Sequence, residues 1–117
     1  MKYCSTRDKK LNFDFKEIFQ RSLAPDGGLF IPKKIKKFSP NELKKMKRLN
    51  YIDLATEVVS SFCVPTFNKQ QLKALIKKSY KKFKKKDVVS LIELDKINLL
   101  ELYHGPTLAF KDIAMQC

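Results

Sequence analysis

Apolar residues spaced three and four positions apart predict the two longest helices of the chain. The first helix begins after Asn50 and is ended by Pro65. Its apolar stripe is Tyr51, Leu54, Ala55, Val58, Val59 and Phe62. The second helix begins near Asn68, with lysines on one side and apolar residues on the other. Its apolar side is Leu72, Leu75, Ile76, Tyr80 and Phe83. Such patterns are typical of amphipathic helices that pack on a shared core.

Two shorter helices are predicted by their capping residues. Asp14 and Glu17 have the spacing of a capping box, and the apolar positions that follow predict a helix to about Leu23. Ser39 and Glu42 repeat the arrangement, followed by another apolar side. The front of the chain is therefore expected to be mostly helical.

Short apolar runs predict four strands. The first two are residues 2–6 and 29–31, and the turn-forming segment 24–28 precedes the second of them. The other two are residues 88–94 and 97–103, separated by a two-residue turn. Residues 97–103 are mostly apolar, which is typical of a strand covered on both faces.

The formal net charge of +13 has two interpretations. Only Arg7, Arg21 and Arg48 of the 25 basic residues are arginines, whereas direct reading of nucleic-acid bases favours the guanidinium fork. We interpret the lysines mainly as solvated helix faces and expect no specific nucleic-acid partner. The alternative is a small basic, non-catalytic protein that binds nucleic acid or another partner through the lysines of residues 33–48 and 69–86.

Cysteine and histidine usage argues against a metal site. Cys4, Cys63 and Cys117 stand far apart, and His104 is the single histidine. We expect no metal, reduced thiols and a cytoplasmic protein. The N-terminus lacks an apolar signal-peptide core, and no apolar run is long enough to span a membrane, so no membrane partner is expected.

The most informative segment follows the fourth strand, which Gly105-Pro106 breaks. Thr107 is placed to cap a helix that begins at Leu108, with Lys111 in its first turn. A lysine that forms a Schiff base must lose its proton, and apolar neighbours and the positive end of a helix favour that loss. Strand–turn–helix junctions are also where parallel α/β sheets bind ligands. From spacing alone, an ordinary surface lysine remains the alternative.

The same segment resembles the cofactor-lysine motif of the threonine synthase family. Residues 99–112, LLELYHGPTLAFKD, are similar to the family's LELFHGPT-x-AFKD, whose lysine binds pyridoxal 5′-phosphate. Further segments match in the same order: residues 3–7 resemble Y-x-STR, residues 22–32 resemble GLAPDGGLFVP, residues 51–55 resemble Y-x-x-LA, and residues 79–83 resemble aY-x-x-F. The resemblance covers essentially the whole chain.

The resemblance implies a fold, a cofactor and a reaction. The fold class is α/β, the N-terminal portion of a tryptophan-synthase-β-like (fold type II) enzyme. Residues 1–87 correspond to a mostly helical N-terminal region, and residues 88–117 to the start of the cofactor-binding α/β domain. The parent enzyme is a lyase that converts O-phospho-L-homoserine and water to L-threonine and phosphate. Lys111 would hold pyridoxal 5′-phosphate and shuttle protons.

Three residues beside Lys111 are candidates for a supporting role. His104 would orient groups near the cofactor, although a structural hydrogen bond to the turn backbone is the plainer interpretation. Thr107 would serve first as a helix cap, and Asp112 as a favourable charge in the first helical turn.

Two departures from the family pattern qualify the resemblance. Ser22 stands where a glycine is usual, and only a local effect is expected there. None of the three glycines lies in a phosphate-binding loop of the kind the family uses. We therefore expect the chain to be the front piece of a larger enzyme and to be inactive alone.

Overall fold

The computed structural model describes all 117 residues. The chain forms five helices, one 3-10 turn and four strands. In chain order these are β1 Tyr3–Ser5, α1 Phe15–Phe19, β2 Phe30–Pro32, α2 Pro40–Met46, α3 Tyr51–Cys63, α4 Lys69–Ser79, the 3-10 turn Tyr80–Lys82, β3 Ser90–Leu94, β4 Ile97–Glu101 and α5 Asp112–Met115. None of the helices combines the length and apolarity that crossing a membrane requires.

Cap hydrogen bonds confirm the predicted helix starts. The Asp14, Ser39 and Asn68 side chains each close a capping box, and Asn50 caps α3. The predicted extension of α1 to about Leu23 is wrong. The Arg21 N–H bonds to the Ile18 carbonyl at 3.1 Å, a tight closing bond that ends the helix, and the next turn begins at Ala24.

The apolar core lies where α4 and the 3-10 turn meet α3. Its buried side chains are Leu72, Ile76, Tyr80, Phe83 and Val88. Tyr51 and Ile52 of α3 pack against them, and so does Ile113 of α5. The Tyr80 hydroxyl also donates to the Ile113 carbonyl at 2.7 Å. The end of the chain that carries the candidate lysine is thus anchored to the helical core.

β1 and β2 pair antiparallel, with Cys4 opposite Ile31. The turn that precedes β2 depends on glycine at two positions. Gly27 has φ +75°, and a Cβ on Gly28 would lie 2.1 Å from the Ser5 Oγ. The turn predicted over residues 24–28 is therefore a packing element.

β3 and β4 form an antiparallel hairpin, with Ser90 opposite Glu101. β3 starts two residues later than predicted, because Val88 has φ +62°, which is outside the strand region. The expectation that β4 is covered on both faces is wrong for this chain. No further strand flanks the hairpin, and Ile97 and Leu100 are 66% and 51% exposed.

Removing core volume should cost far more stability than removing surface volume from the same helix. Ile76 is fully buried and Leu75 is 48% exposed. We expect Ile76→Ala to lower the free energy of unfolding by about 2–5 kcal/mol through lost burial and a residual cavity. Leu75→Ala should change it by about 0.5 kcal/mol. Denaturant unfolding followed by circular dichroism measures both, and equal effects would contradict the assigned core.

Candidate functional site

Lys111 lies just before α5, not in its first turn. It is the residue preceding Asp112, with φ −62° and ψ −24°. The predicted helix start at Leu108 is wrong, because Leu108 has φ +61°, which a right-handed helix does not allow. Thr107 consequently caps no helix. Residues 105–112, called the lysine loop below, are irregular up to the start of α5.

The Lys111 side chain is exposed, and its amine has no hydrogen-bond or ion-pair partner within the chain. The burial expected from its apolar neighbours is only partly present. Phe110 is 65% exposed, whereas Ile113 packs on the helical core. The amine is therefore open to reaction, while the α5 backbone behind it is anchored.

Asp112 closes the lysine loop. Its side chain is 2% exposed, and Oδ2 and Oδ1 accept from the Thr107 N–H and hydroxyl, each at 2.8 Å. Gln116 donates to Oδ1 at 3.3 Å. Burial alone would raise the pKa of Asp112, but the hydrogen bonds from Thr107 and Gln116 outweigh it and hold the pKa below its usual value. Asp112 therefore acts as a clamp that closes the lysine loop through hydrogen bonds, in addition to the favourable charge that the sequence predicted for it.

Gly105 begins the loop against this clamp. A Cβ there would lie 2.3 Å from the Asp112 Cβ and Oδ2, so only glycine fits. The two ends of the loop are therefore in direct contact, and Lys111 is held beside the point where they meet.

Glu101 accepts hydrogen bonds from several side chains near the entrance to the lysine loop. With its partners Lys85, Tyr103 and His104 it forms what is called the carboxylate cluster below. Oε1 accepts from the Tyr103 hydroxyl at 2.5 Å, and Oε2 lies 2.9 Å from His104 Nε2 and 3.2 Å from Lys85 Nζ. Hydrogen bonds from Tyr103, His104 and Lys85, in that order, lower the pKa of Glu101 to about 2. It is ionised at neutral pH.

The cluster corrects the structural role expected for His104. Its imidazole is buried and bonds to a carboxylate, not to the turn backbone. An ionised carboxylate only accepts hydrogen bonds, so His104 Nε2 must carry a proton. The sequence interpretation missed Glu101, Tyr103 and Lys85. The Glu101-x-x-His104 spacing within the motif was the available signal, whereas Lys85 is indistinguishable from its neighbouring lysines in the sequence.

Residues Ser5–Arg7 bond to the turn that precedes β2. Ser5 Oγ donates to Asp26 Oδ1 at 2.7 Å, and Arg7 Nη1 donates to the Asp26 carbonyl at 2.9 Å. These contacts fasten β1 to the turn before β2. These residues therefore stabilise the first strand pair.

The side chains of the chain offer an amine site for a cofactor. No group of three or more His, Cys, Asp or Glu side chains is placed to hold a metal ion. All three cysteines are free, with Cys4 and Cys63 buried and Cys117 exposed. A primary amine without a partner suits a cofactor that presents a carbonyl carbon. Lys111, on its clamped loop, meets that requirement.

Comparisons with known proteins give one consistent result. The family profile described as "Threonine synthase N terminus" matches residues 2–80. "Threonine synthase-like 2" of Xenopus laevis is 38% identical over 119 residues, covering 100% of this chain and 25% of that protein. The threonine synthase of Schizosaccharomyces pombe is 39% identical, covering 97% of this chain and 23% of that protein. The crystal structure of PLP-bound threonine synthase from Brucella melitensis matches with a TM-score of 0.91 at 33% identity, covering 98% of this chain and 25% of that one.

These matches confirm the resemblance and the fold class inferred from the motifs. The chain spans about a quarter of the length of the curated relatives it matches. The family profile ends at residue 80, before the lysine loop. The family is therefore established independently of the lysine loop.

Acid should weaken the carboxylate cluster. The pKa of Glu101 in the folded chain is about 2, below its ordinary value of 4.5, so its stabilisation is complete above pH 4.5 and is lost as the pH falls towards 2. We expect Glu101→Gln to be less stable than the parent chain at pH 7 and to lose less stability between pH 5 and pH 2, as measured by denaturant unfolding at each pH. Glu42, whose pKa is also about 2, leaves a residual slope in both proteins. Identical slopes would contradict the assignment.

Removing the loop clamp should expose the Thr107 amide. In Asp112→Ala the Thr107 N–H loses its acceptor, and we expect its hydrogen exchange to accelerate by about tenfold or more. Asp112→Asn is the matched control, since its amide oxygen still accepts from Thr107. Exchange measured by NMR should separate the two variants, and equal protection in the alanine variant would show that Asp112 does not close the loop.

Proposed function

The chain belongs to the threonine synthase family, and we propose that Lys111 is the residue that binds pyridoxal 5′-phosphate in a threonine synthase. The proposed reaction converts O-phospho-L-homoserine and water to L-threonine and phosphate, which makes the whole enzyme a carbon–oxygen lyase acting on a phosphate ester. The relatives support the proposal by name, and the Brucella melitensis structure contains PLP by its title. Since one relative is named threonine synthase-like, family membership alone does not assign the reaction.

The observation that carries the proposal is the free amine of Lys111 on a loop fixed at both ends. An amine without an ion-pair partner can react with the cofactor aldehyde, and the clamped backbone limits where the amine points. The motif around it, LELYHGPTLAFKD, matches the family motif. An ordinary surface lysine needs neither the buried Asp112 clamp nor the glycine at its contact.

The chemistry divides between the cofactor and the lysine. The bound cofactor supplies an electron sink for negative charge that develops beside the substrate amino group. Lys111 Nζ binds the cofactor before substrate arrives. Once displaced by the substrate amine, Lys111 Nζ is free to accept and return protons on the substrate carbon chain as a general base and acid.

The remaining proposals concern organisation and location. We propose residues 1–87 as the N-terminal region and residues 88–117 as the start of the cofactor domain, although the core that joins Val88 and Ile113 to the helices packs the two parts tightly. We also propose a cytoplasmic location, in keeping with three free cysteines. The groups that bind the cofactor phosphate and the substrate are proposed to lie in the part of the family fold that this chain does not span.

Lys111→Ala should abolish covalent cofactor binding. For this test the chain replaces the matching N-terminal quarter of the Schizosaccharomyces pombe enzyme, and the chimera is reconstituted with pyridoxal 5′-phosphate. We expect borohydride reduction to fix the cofactor on the Lys111 peptide, as read by mass spectrometry. In Lys111→Ala we expect no fixed cofactor at this position and about 10³-fold lower threonine formation.

Lys96→Ala is the matched control, because Lys96 is exposed in the β3–β4 turn of the same segment. It should leave both readouts unchanged. Specific cofactor fixation on another lysine, with Lys111→Ala fully active, would remove Lys111 from the proposed role. Tight, steeply salt-dependent binding of arbitrary DNA by an inactive chimera would favour the basic binding protein instead.

A further inference from the structure

We propose that Glu101 is a positioning residue for Lys111, which sets the course of the lysine loop by holding His104 at the loop entrance. The inference rests on the proposed function, because positioning matters only if Lys111 carries the cofactor. Glu101 touches neither Lys111 nor any reacting atom, and its effect would pass through the backbone from His104 to Gly105.

The placement of Glu101 favours a specific role. Its side chain is 10% exposed at the end of β4 in a hairpin whose other strand residues are largely open to solvent. Burying a carboxylate costs free energy unless donors satisfy it. Here three side chains, those of Lys85, Tyr103 and His104, donate to its two oxygens. An ordinary hairpin position would not require this arrangement.

The cluster joins the loop entrance to the segment before β3. Glu101 lies opposite Ser90 in the strand register, and Lys85 Nζ donates to Ser90 Oγ at 2.8 Å as well as to Glu101. The Lys84 N–H donates to the His104 carbonyl at 2.9 Å. The exit of β4 is thus fastened by side chains and backbone to residues just after the 3-10 turn that follows α4.

His104 transmits this fixation to the loop. Its side chain is 9% exposed, and its imidazole has one orientation in which Nε2–H meets the carboxylate. Gly105 follows immediately and contacts the Asp112 clamp. Glu101 therefore fixes the residue directly before the lysine loop, and Asp112, the last residue of the loop, holds Thr107 within it.

A purely stabilising role for the carboxylate cluster predicts different results. Lys85 is 49% exposed, so its ion pair with Glu101 adds little to stability. The buried contact is the one to His104, and it orients a ring and a backbone junction. Loss of Glu101 should therefore change the His104 tautomer and the delivery of Lys111 more than it changes overall folding.

The test combines one spectroscopic and one chemical readout. In the ¹⁵N-labelled chain, long-range ¹H–¹⁵N spectra of the single histidine report which ring nitrogen carries the proton. In the reconstituted chimera, borohydride reduction reports pyridoxal 5′-phosphate fixed on Lys111. We expect a proton on Nε2 in the parent chain, loss of that preference in Glu101→Leu, and a reduction of about tenfold or more in the rate of cofactor fixation.

Glu93→Leu is the matched control, because Glu93 lies in β3 of the same hairpin and is exposed. It should leave both readouts at the parent level. Where Glu101→Leu does not fold, Glu101→Gln carries the test. Its amide has one acceptor oxygen for three donors, and we expect slower fixation than in the parent protein. Glu101→Asp is the rescue variant. It should recover fixation at least in part if the carboxylate itself is required.

The outcomes separate the inference from the function on which it rests. Parent-level fixation and an unchanged His104 spectrum in folded Glu101→Leu or Glu101→Gln would overturn the positioning role while Lys111→Ala still fails. An equal loss in Glu93→Leu would also overturn it, since the effect would then be general damage to the hairpin. If Lys111→Ala retains specific fixation, the proposed function fails, and the positioning inference fails with it, whatever the His104 spectrum shows.

Discussion

The site depends on the cost of burying carboxylates. Asp112 and Glu101 are both largely removed from solvent, and each is accommodated only because several donors converge on it. The donors to Asp112 are Thr107, five positions earlier, and Gln116, four positions later. The donors to Glu101 come from Lys85, before β3, and from two residues just after β4. Satisfying these two charges therefore dictates the path of the backbone on both sides of Lys111. The Lys111 side chain takes no part in these hydrogen bonds, and its amine remains available for chemistry.

The helical half of the chain was predictable because its information is local. The capping boxes at Asp14 and Ser39 and the helix starts near Asn50 and Asn68 depend only on residues a few positions apart, and all are confirmed. Of the apolar stripe predicted for α3, Tyr51, Ala55 and Val59 pack on the core. The end of α1 was predicted too late because the apolar spacing continues to Leu23, whereas the Arg21 N–H already closes the helix on the Ile18 carbonyl. The turn predicted over residues 24–28 is present, with Gly27 at φ +75°.

The geometry of the site was predictable only in part. The motif marked Lys111 and its neighbours, but it did not reveal that Leu108 adopts φ +61° or that α5 starts at Asp112. Propensity cannot anticipate a positive φ at leucine, because only the surrounding contacts hold it there. The Lys85 contact could not be predicted either, since it depends on how the hairpin lies against residues 84 and 85. The motif thus located the chemistry, whereas the supporting contacts required the tertiary structure.

The open hairpin has a consequence for how the chain reaches its folded state. The helical core is assembled from neighbouring segments, chiefly α3 and α4, and contacts that are close in the sequence form quickly. β3 and β4 instead expose leucine and isoleucine side chains and two unpaired strand edges. Unpaired edges can form hydrogen bonds with any other extended chain. During synthesis the helical part of the chain would already be compact while the strands of the hairpin are still able to pair with other chains. The exposed lysines that flank β3, Lys84, Lys86 and Lys96, supply like-charge repulsion between copies, and this repulsion would oppose aggregation during that interval.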